Sequence, residues 1–438
     1  MIDKSMERYS EYKDSGEQWL GEIPRHWEVK RLGNFLTLFS EKGFPNSHLL
    51  SVTREKGVIL RGKDDKEENH NYVPDDLSGY KHIYKGDFVI NKMKSWQGSY
   101  GVSPFEGIVS PAYFTCKLHG VNKDFFSCAI RAQIYTAFFM RYSKGIRVDQ
   151  WDLEPTAMKS IPFILPPLPE QSAIVAYLDR VTSQLDEAIA QQRRMIDLLN
   201  ERKQIIIQHA VTKGLDPKAE MVDSGVEWIG MMPRGWKVMK LKHLCEINGR
   251  IGFRGYSITD LVQEGDGAIT LSPSNMKEGK MDYKKCTYLS WDKYYESPEI
   301  QINNGDILFV KTGSTYGKSS LVENLPEKST INPQLLVFKR IRCHNAFLAF
   351  VLQTNIVRNQ VETSVIGGTI PTIAQSKIGN YNIPLPSKKE QMDIVSAING
   401  KLGPINKVIF DMEKLIEYLR ERKQIIVNEV VTGKVKVS

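Results

Sequence analysis

Asp14–Leu32 reads DSGEQWLGEIPRHWEVKRL, and Asp223–Leu241 reads DSGVEWIGMMPRGWKVMKL. The two stretches are offset by 223 − 14 = 209 residues, and 10 of their 19 positions are identical, where similar composition would give roughly one. The matches include the pairs Trp19/Trp228, Gly21/Gly230, Pro24/Pro233 and Trp27/Trp236. A second set of pairs is offset by 220: Leu165-Pro166 and Glu170-Gln171 return as Leu385-Pro386 and Glu390-Gln391. Glu201–Ile206 (ERKQII) returns as Glu421–Ile426, and Val211-Thr212 as Val431-Thr432. The offset grows by 220 − 209 = 11, so the weakly similar stretch between the repeated blocks is 11 residues longer in the second half. A solenoid would repeat every roughly 20–50 residues; this chain is one large duplication. Each half is a variable module followed by a constant one.

The constant modules carry a helical period. Steps of four and three from Ile174 reach Leu178, Val181, Leu185, Ala188, Gln192, Met195, Leu199, Arg202 and Ile206. The same steps from Ile394 reach Ile398, Lys401, Ile405, Val408, Met412, Leu415, Leu419, Arg422 and Ile426. Eight of ten positions are apolar in each, a seam that suits a two-helix coiled coil. Leu185, Met195 and Leu199 are expected to face Ile405, Leu415 and Leu419 across it. Gly400, Gly403 and Pro404 predict a joint, with Pro404 in the first turn of a new helix and Asp179 as the matching cap in the first copy. The expectation is a short helix from about Glu170 or Glu390, then one of roughly 30 residues, about 45 Å long. In the variable modules, Tyr84–Ile90 (YKGDFVI) and Ile302–Val310 (INNGDILFV) share a Gly-Asp turn before an apolar strand. Frequent Gly, Pro and Asn elsewhere fit loops over a compact α/β body.

Composition sets the outer bounds. A chain of 438 residues suits about two to three domains, and 41% hydrophobic with 25% charged residues is ordinary for a globular protein. No run approaches the roughly 18 apolar residues of a membrane span, and Met1–Ser10 is too polar for a secretory signal. Cys116, Cys128, Cys245, Cys286 and Cys343 are scattered without CxxC spacing, which points to a reducing cytoplasm and away from structural zinc. The net charge of +8 suits a polyanionic partner without identifying one.

With SGxxWxGxxPxxW ahead of each variable module, LPxxxEQ behind it and ERKQII in the helix, nearly the whole chain resembles the specificity-subunit family of type I restriction–modification systems. The resemblance implies an α/β (α+β) fold: two pseudo-symmetric target-recognition domains separated by two long antiparallel coiled-coil helices. It divides the chain into 1–165 (recognition domain 1), 166–215 (helical region 1), 216–385 (recognition domain 2) and 386–438 (helical region 2). It implies binding to double-stranded DNA at a bipartite site with an unspecified spacer. Two methyltransferase subunits and the restriction/translocase subunits are its implied partners, and no membrane. No cofactor or metal is expected in this chain; S-adenosylmethionine, ATP and Mg2+ would belong to the partners. Duplicated readers suit half-sites about one helical turn apart. One departure is Lys388-Lys389 where the first copy has Leu168-Pro169, which makes the second junction more polar.

Catalytic signatures are incomplete. Gly313-Ser-Thr-Tyr-Gly317-Lys318-Ser319 has three residues between its glycines where a phosphate-binding loop needs four, and the proline-containing Leu321–Pro333 does not read as the helix that should follow. Asn332-Pro333-Gln334-Leu335 lacks the second proline and the aromatic of an adenine-methyltransferase site, and reads as a turn before a strand. Asp64–Glu68 (DDKEE) reads as a solvated loop. The eight histidines show no metal spacing, and no nucleophile–base pair is visible.

The loops after the Gly-Asp strands remain as candidate DNA contacts: Lys92, Lys94, Trp96, Gln97, Ser99 and Tyr100 in the first half, and Lys311, Thr312, Ser314, Thr315, Tyr316 and Lys318 in the second. Lysines neutralise phosphates, while Gln, Ser and Thr can read base edges. Arg250 and Arg254 are further phosphate or guanine candidates. Two readings of different class stand at this point: a sequence-reading subunit, or an enzyme. The enzyme would be a nucleotide hydrolase using 313–319 or an unrecognised DNA methyltransferase. Cofactor binding by the isolated chain separates them.

Overall fold

The computed structural model describes residues 7–62, 73–145, 151–277, 279–366 and 371–437. The chain forms two compact units, one made of residues up to Arg193 together with Glu413 onward, the other of Arg194–Met412.

In the first unit, the strands that matter are β1 (Glu28–Arg31), β2 (Leu36–Phe39), β3 (Phe88–Ile90), β4 (Tyr100–Val102), β5 (Phe114–Leu118) and β6 (Pro162–Leu165). Two short helices, α1 (Lys123–Ile130) and α2 (Gln133–Tyr142), follow β5, and the long helix α3 (Leu168–Lys213) follows β6. The central sheet has the order β2-β5-β3-β4 and is antiparallel throughout. Strand side chains alternate between faces. Phe88 and Ile90 therefore join the core built with α1 and α2, while Val89 joins a second core with Leu50, Val52 and Val58. Burial on both faces explains why β3 is an unbroken apolar run. β1 pairs with β6, Val29 opposite Ile164, and so ties the beginning of the module to its end.

The second unit repeats this plan. Its strands are β7 (Lys237–Lys240), β8 (Glu246–Gly249), β9 (Ile307–Val310), β10 (Ser319–Leu321), β11 (Leu335–Lys339) and β12 (Asn382–Leu385). Its helices are α4 (Asn345–Leu352), α5 (Asn355–Glu362) and the long α6 (Lys388–Val431). The sheet order β8-β11-β9-β10 matches the first unit strand for strand, and β7 pairs with β12 as β1 does with β6. Ile307 and Phe309 face one core, Leu308 and Val310 the other. The second unit also holds a four-stranded sheet built on Gly267–Leu271.

The long helices differ from expectation in two ways. Neither has a joint: α3 runs 46 residues and α6 runs 44, about 69 and 66 Å at 1.5 Å per residue. Both start at the same point of the repeat, Leu168 and Lys388, despite the more polar second junction. Asp179 lies within α3, and Pro404 lies inside α6, where it costs a hydrogen bond to Gly400 and about 3 kcal/mol. Ile398 and Leu402 before it and Ile409 after it are buried, and that apolar face holds the chain helical. Gly400 and Gly403 have nothing within 4 Å of a Cβ position, which leaves room at the proline.

The second correction concerns the seam. Burial in α6 follows Ile394, Ile398, Leu402, Ile409 and Ile416, not Lys401, Val408 and Leu415. Two successive four-residue steps shift the stripe by one residue, a stutter. In α3 the same shift follows Leu185: Ile189 is buried, and Ile196 and Leu199 are half-buried. Met195 and Leu415, expected in the seam, are 46% and 42% exposed. Leu185 is buried, and Ile405 and Leu419 are half-buried. Within the first unit, Ile174, Leu178, Val181 and Leu185 share a core with Leu419, Ile426 and Val430. Within the second, Ile207, Ala210 and Val211 share one with Ile394, Ile398 and Leu402.

Candidate nucleic-acid interface

Each candidate loop joins the strand after a Gly-Asp turn to the edge strand of its sheet. The turn itself is a built feature. Gly86 and Gly305 have φ of 90° and 91°, a region that suits glycine. The carboxylates of Asp87 and Asp306 accept the backbone N–H of Tyr84 and Asn303, at 2.8 and 2.9 Å.

In the first unit, the loop between β3 and β4 is closed by the Asn91 N–H on the Ser99 carbonyl, 3.0 Å, and holds a single 3-10 turn, Ser95–Gln97. Lys94 is exposed at its tip and, among the described residues, has no ion-pair partner. Lys92 is half-buried and paired with Asp152 at 2.8 Å. Trp96 is half-buried; its indole donates to the Met93 carbonyl at 3.2 Å and its ring lies 5.3 Å from that of Trp151. Gln97 is also half-buried. Ser99 and Tyr100 point inward and are corrected as direct contacts. Tyr100 is fully buried, its ring 4.2 Å from Phe139 and its hydroxyl 3.1 Å from the Thr136 Oγ1. Burial pushes its phenol up to about 12.

In the second unit, Ser314 and Thr315 are exposed at the loop tip. Thr312 Oγ1 meets Thr372 Oγ1 at 2.7 Å, and the Tyr316 hydroxyl donates to Glu362 at 2.8 Å. Lys318 Nζ donates to the Met276 carbonyl. Burial draws the Lys311 ammonium below its ordinary pKa. Beside the loop is an open cleft of about 1070 Å³ lined in part by Gln204, Gln208, Asn355 and Arg358. Residues 313–319 run straight into strand β10, so no helix N-terminus faces a phosphate there. Asn332 and Pro333 form the turn before β11.

Arg250 is also corrected. Only 6% of it is exposed, and its guanidinium is spent on the carbonyls of Ile331 (3.2 Å) and Arg254 (3.3 Å) and on Thr330 Oγ1 (3.1 Å). Arg254 is half-buried and paired with Glu299 at 3.3 Å. Asp64–Glu68 lies outside the described residues. Among the described residues no cluster of His, Cys, Asp or Glu could hold a metal, and no helix is long and apolar enough to cross a membrane. Sequence reasoning missed Arg131, which bonds to the back of the first loop. It sits between two helices with no motif around it, and nothing local marks it.

Two units of one plan, each presenting a polar hairpin loop from a sheet buried on both faces and each joined to a long helix, define a duplicated recognition protein. The chain belongs to the type I restriction modification DNA specificity domain family, whose model matches residues 24–194 and again 233–399. It is a type I specificity subunit with two target-recognition domains. It is 24% identical over 435 residues to the type I restriction enzyme MjaVIII specificity subunit of Methanocaldococcus jannaschii, covering 95% of this chain and 94% of that one. It is 21% identical over 404 residues to the EcoKI specificity subunit of Escherichia coli K12, covering 86% and 82%. Its fold resembles a chain in a solved structure described as showing complex assembly and conformational transition of the type I R-M system. The TM-score is 0.61 at 16% identity, covering 93% of this chain and 98% of the other.

Proposed function

We propose that this chain is the non-catalytic reader of a type I restriction–modification complex in the cytoplasm. Each recognition domain, 1–165 and 216–385, reads one half of a bipartite site in double-stranded DNA. The helical regions 166–215 and 386–438 set the spacer and dock two methyltransferase subunits, which restriction/translocase subunits join. S-adenosylmethionine, ATP and Mg2+ act in those partners. The observation that carries the reading is the equivalence of the two exposed loop tips, Lys94 in one unit and Ser314-Thr315 in the other, on sheets of identical strand order. A positive side chain can fix the phosphate backbone while small hydroxyls reach base edges.

The docking assignment is supported by a second repeated feature. On α3, Met195, Leu198 and Ile205 are exposed apolar residues, and 220 positions later Leu415, Tyr418 and Ile425 are exposed on α6. Leu198 and Ile205 are 59% and 60% exposed, Tyr418 and Ile425 64% and 55%. Steps of three and seven keep each set on one helix face. Such a stripe, present twice, suits an apolar helix of a partner present in two copies.

The test is reconstitution. The purified chain alone should neither transfer methyl groups nor hydrolyse ATP, and adding its methyltransferase subunits should restore adenine methylation. Methyl transfer by the chain alone, free of copurifying subunits, would overturn the reading.

A further inference from the structure

A second hairpin lies against each candidate reading loop. In the first unit it is Leu50–Thr53 paired with Gly57–Leu60. Its backbone approaches β4 so closely that a Cβ on Gly101 would stand 3.3 Å from the Cα of Gly57. Arg131, at the end of α1, ties the hairpin to the loop. Its Nη1 donates to the carbonyls of Gly98 (3.0 Å) and Tyr100 (2.8 Å), and its Nη2 to those of Arg54 (2.8 Å) and Glu55 (2.5 Å). Among the described residues no carboxylate pairs with this guanidinium, and burial draws its pKa below the ordinary value. Four carbonyl dipoles alone hold the charge, in the planar fork that only arginine supplies.

The second unit makes the same tie with different residues. The hairpin of Met276-Lys277 and Lys280-Met281 lies beside β10. Lys318 of the loop donates to the Met276 carbonyl, and Gln353, which ends α4 as Arg131 ends α1, sits against Gly279. A Cβ on Gly279 would meet Gln353 Oε1 at 2.6 Å. In both units a side-chain cation that donates to a hairpin carbonyl holds the hairpin against the loop, from the end of α1 in the first and from the loop itself in the second.

We propose that each recognition domain reads DNA with both hairpins, that Arg54 is an additional DNA contact of the first domain, and that Arg131 is its positioning residue. The proposal rests on the reading that the Lys94 loop tip faces DNA. Arg54 is exposed at the turn of its hairpin and, among the described residues, has no acidic partner. A guanidinium there can take a phosphate oxygen, or guanine O6 and N7 together. Arg131 fixes where that guanidinium stands relative to Lys94, because it holds the Arg54 carbonyl and the Gly98 carbonyl with the same group.

The test uses the full chain with its methyltransferase subunits, on duplexes carrying the methylated motif and single-base changes in either half. Arg54→Ala should make the dependence of log affinity on log salt shallower by about 1. Arg131→Met should narrow discrimination in one half-site roughly tenfold and leave the other half intact. Arg131→Lys, which keeps the charge and loses the fork, should do the same, so the outcome stands if the methionine variant fails to fold. Unchanged discrimination in Arg131→Lys overturns the positioning role. A wild-type salt slope in Arg54→Ala beside weakened binding in Lys94→Ala overturns the second hairpin and leaves the loop reading standing. Wild-type binding in both Arg54→Ala and Lys94→Ala overturns the loop reading and this proposal together.

Discussion

The indole Nε1 of Trp27 donates to the carboxylate of Glu170 at 2.8 Å. Trp236 and Glu390 make the same bond in the second unit, at 2.9 Å. The tryptophan precedes each variable module and the glutamate opens the long helix behind it, so the bond closes the module at its base. The neighbouring glutamine completes the closure. Gln171 donates to the Pro166 carbonyl at 2.7 Å and accepts the Asn122 N–H at 2.9 Å; Gln391 does the same with Pro386 at 2.9 Å and His344 at 2.8 Å. The repeated Trp and Glu-Gln residues thus close each variable module at its base.

Breaking that bond should cost stability in a pH-dependent way. Glu170 also accepts from the Tyr9 hydroxyl at 3.0 Å and meets His26 Nε2 at 2.5 Å. Burial alone would raise the Glu170 carboxyl, but the hydrogen bonds from Trp27, His26 and Tyr9 together outweigh it and hold its pKa below the usual carboxylate value. A carboxyl depressed in the folded state stabilises above its unfolded pKa, and that contribution disappears as pH falls through the folded value. Trp27→Phe should cost about 1.5–3 kcal/mol at pH 7, the range for a bond to a charged group. In denaturant titrations the gap between wild type and Glu170→Gln should shrink as pH falls below the ordinary carboxylate range; a gap that does not change with pH would contradict the assignment.

The exposed stripes give a second expectation. Ile205→Asp should remove one methyltransferase subunit from the complex and Ile425→Asp the other, since each places a charge in a desolvated contact worth several kcal/mol. Native mass spectrometry reads the stoichiometry. Complexes of unchanged composition in both variants would show that the partners dock elsewhere.

The duplication, the long helices and the Gly-Asp hairpins were legible because each rests on local pattern: repeated Trp and Glu-Gln residues, a spacing near 3.5, a turn before an apolar strand. The seam register beyond Leu185 and Ile398 was not. Leu402 is buried instead of Lys401 because it shares the core of Ile398 with Ile207, Ala210 and Val211, which are distant in sequence, and an expected step of three hid it. The inward turn of Tyr100 and Arg250 was equally hidden. Their partners, Thr136 and Ile331, stand 36 and 81 residues away, and no spacing rule connects them.

The length of the helices should set the spacer. Inserting four residues near Asn200 or Arg420 adds about 6 Å of axis, close to two base pairs, and nearly preserves the buried face because four residues approach one turn. Both half-sites should keep their bases while the unspecified gap grows by roughly one or two base pairs. Mapping methylated adenines in cells carrying the insertion reads this out. An active protein with an unchanged gap would show that the helices do not measure the site.

The most direct test of a reader with one domain per half-site is a module exchange read by methylome sequencing. The segment from Arg25 to Ile164, which carries Trp27 and stops short of the helix that carries Glu170, is replaced by its counterpart from a relative of different specificity. Methylated adenines are then mapped in a host that otherwise lacks the gene. The account predicts one split motif in which one half changes and the other half keeps every base. A motif in which both halves change together, or methylation that persists unaltered, would contradict it.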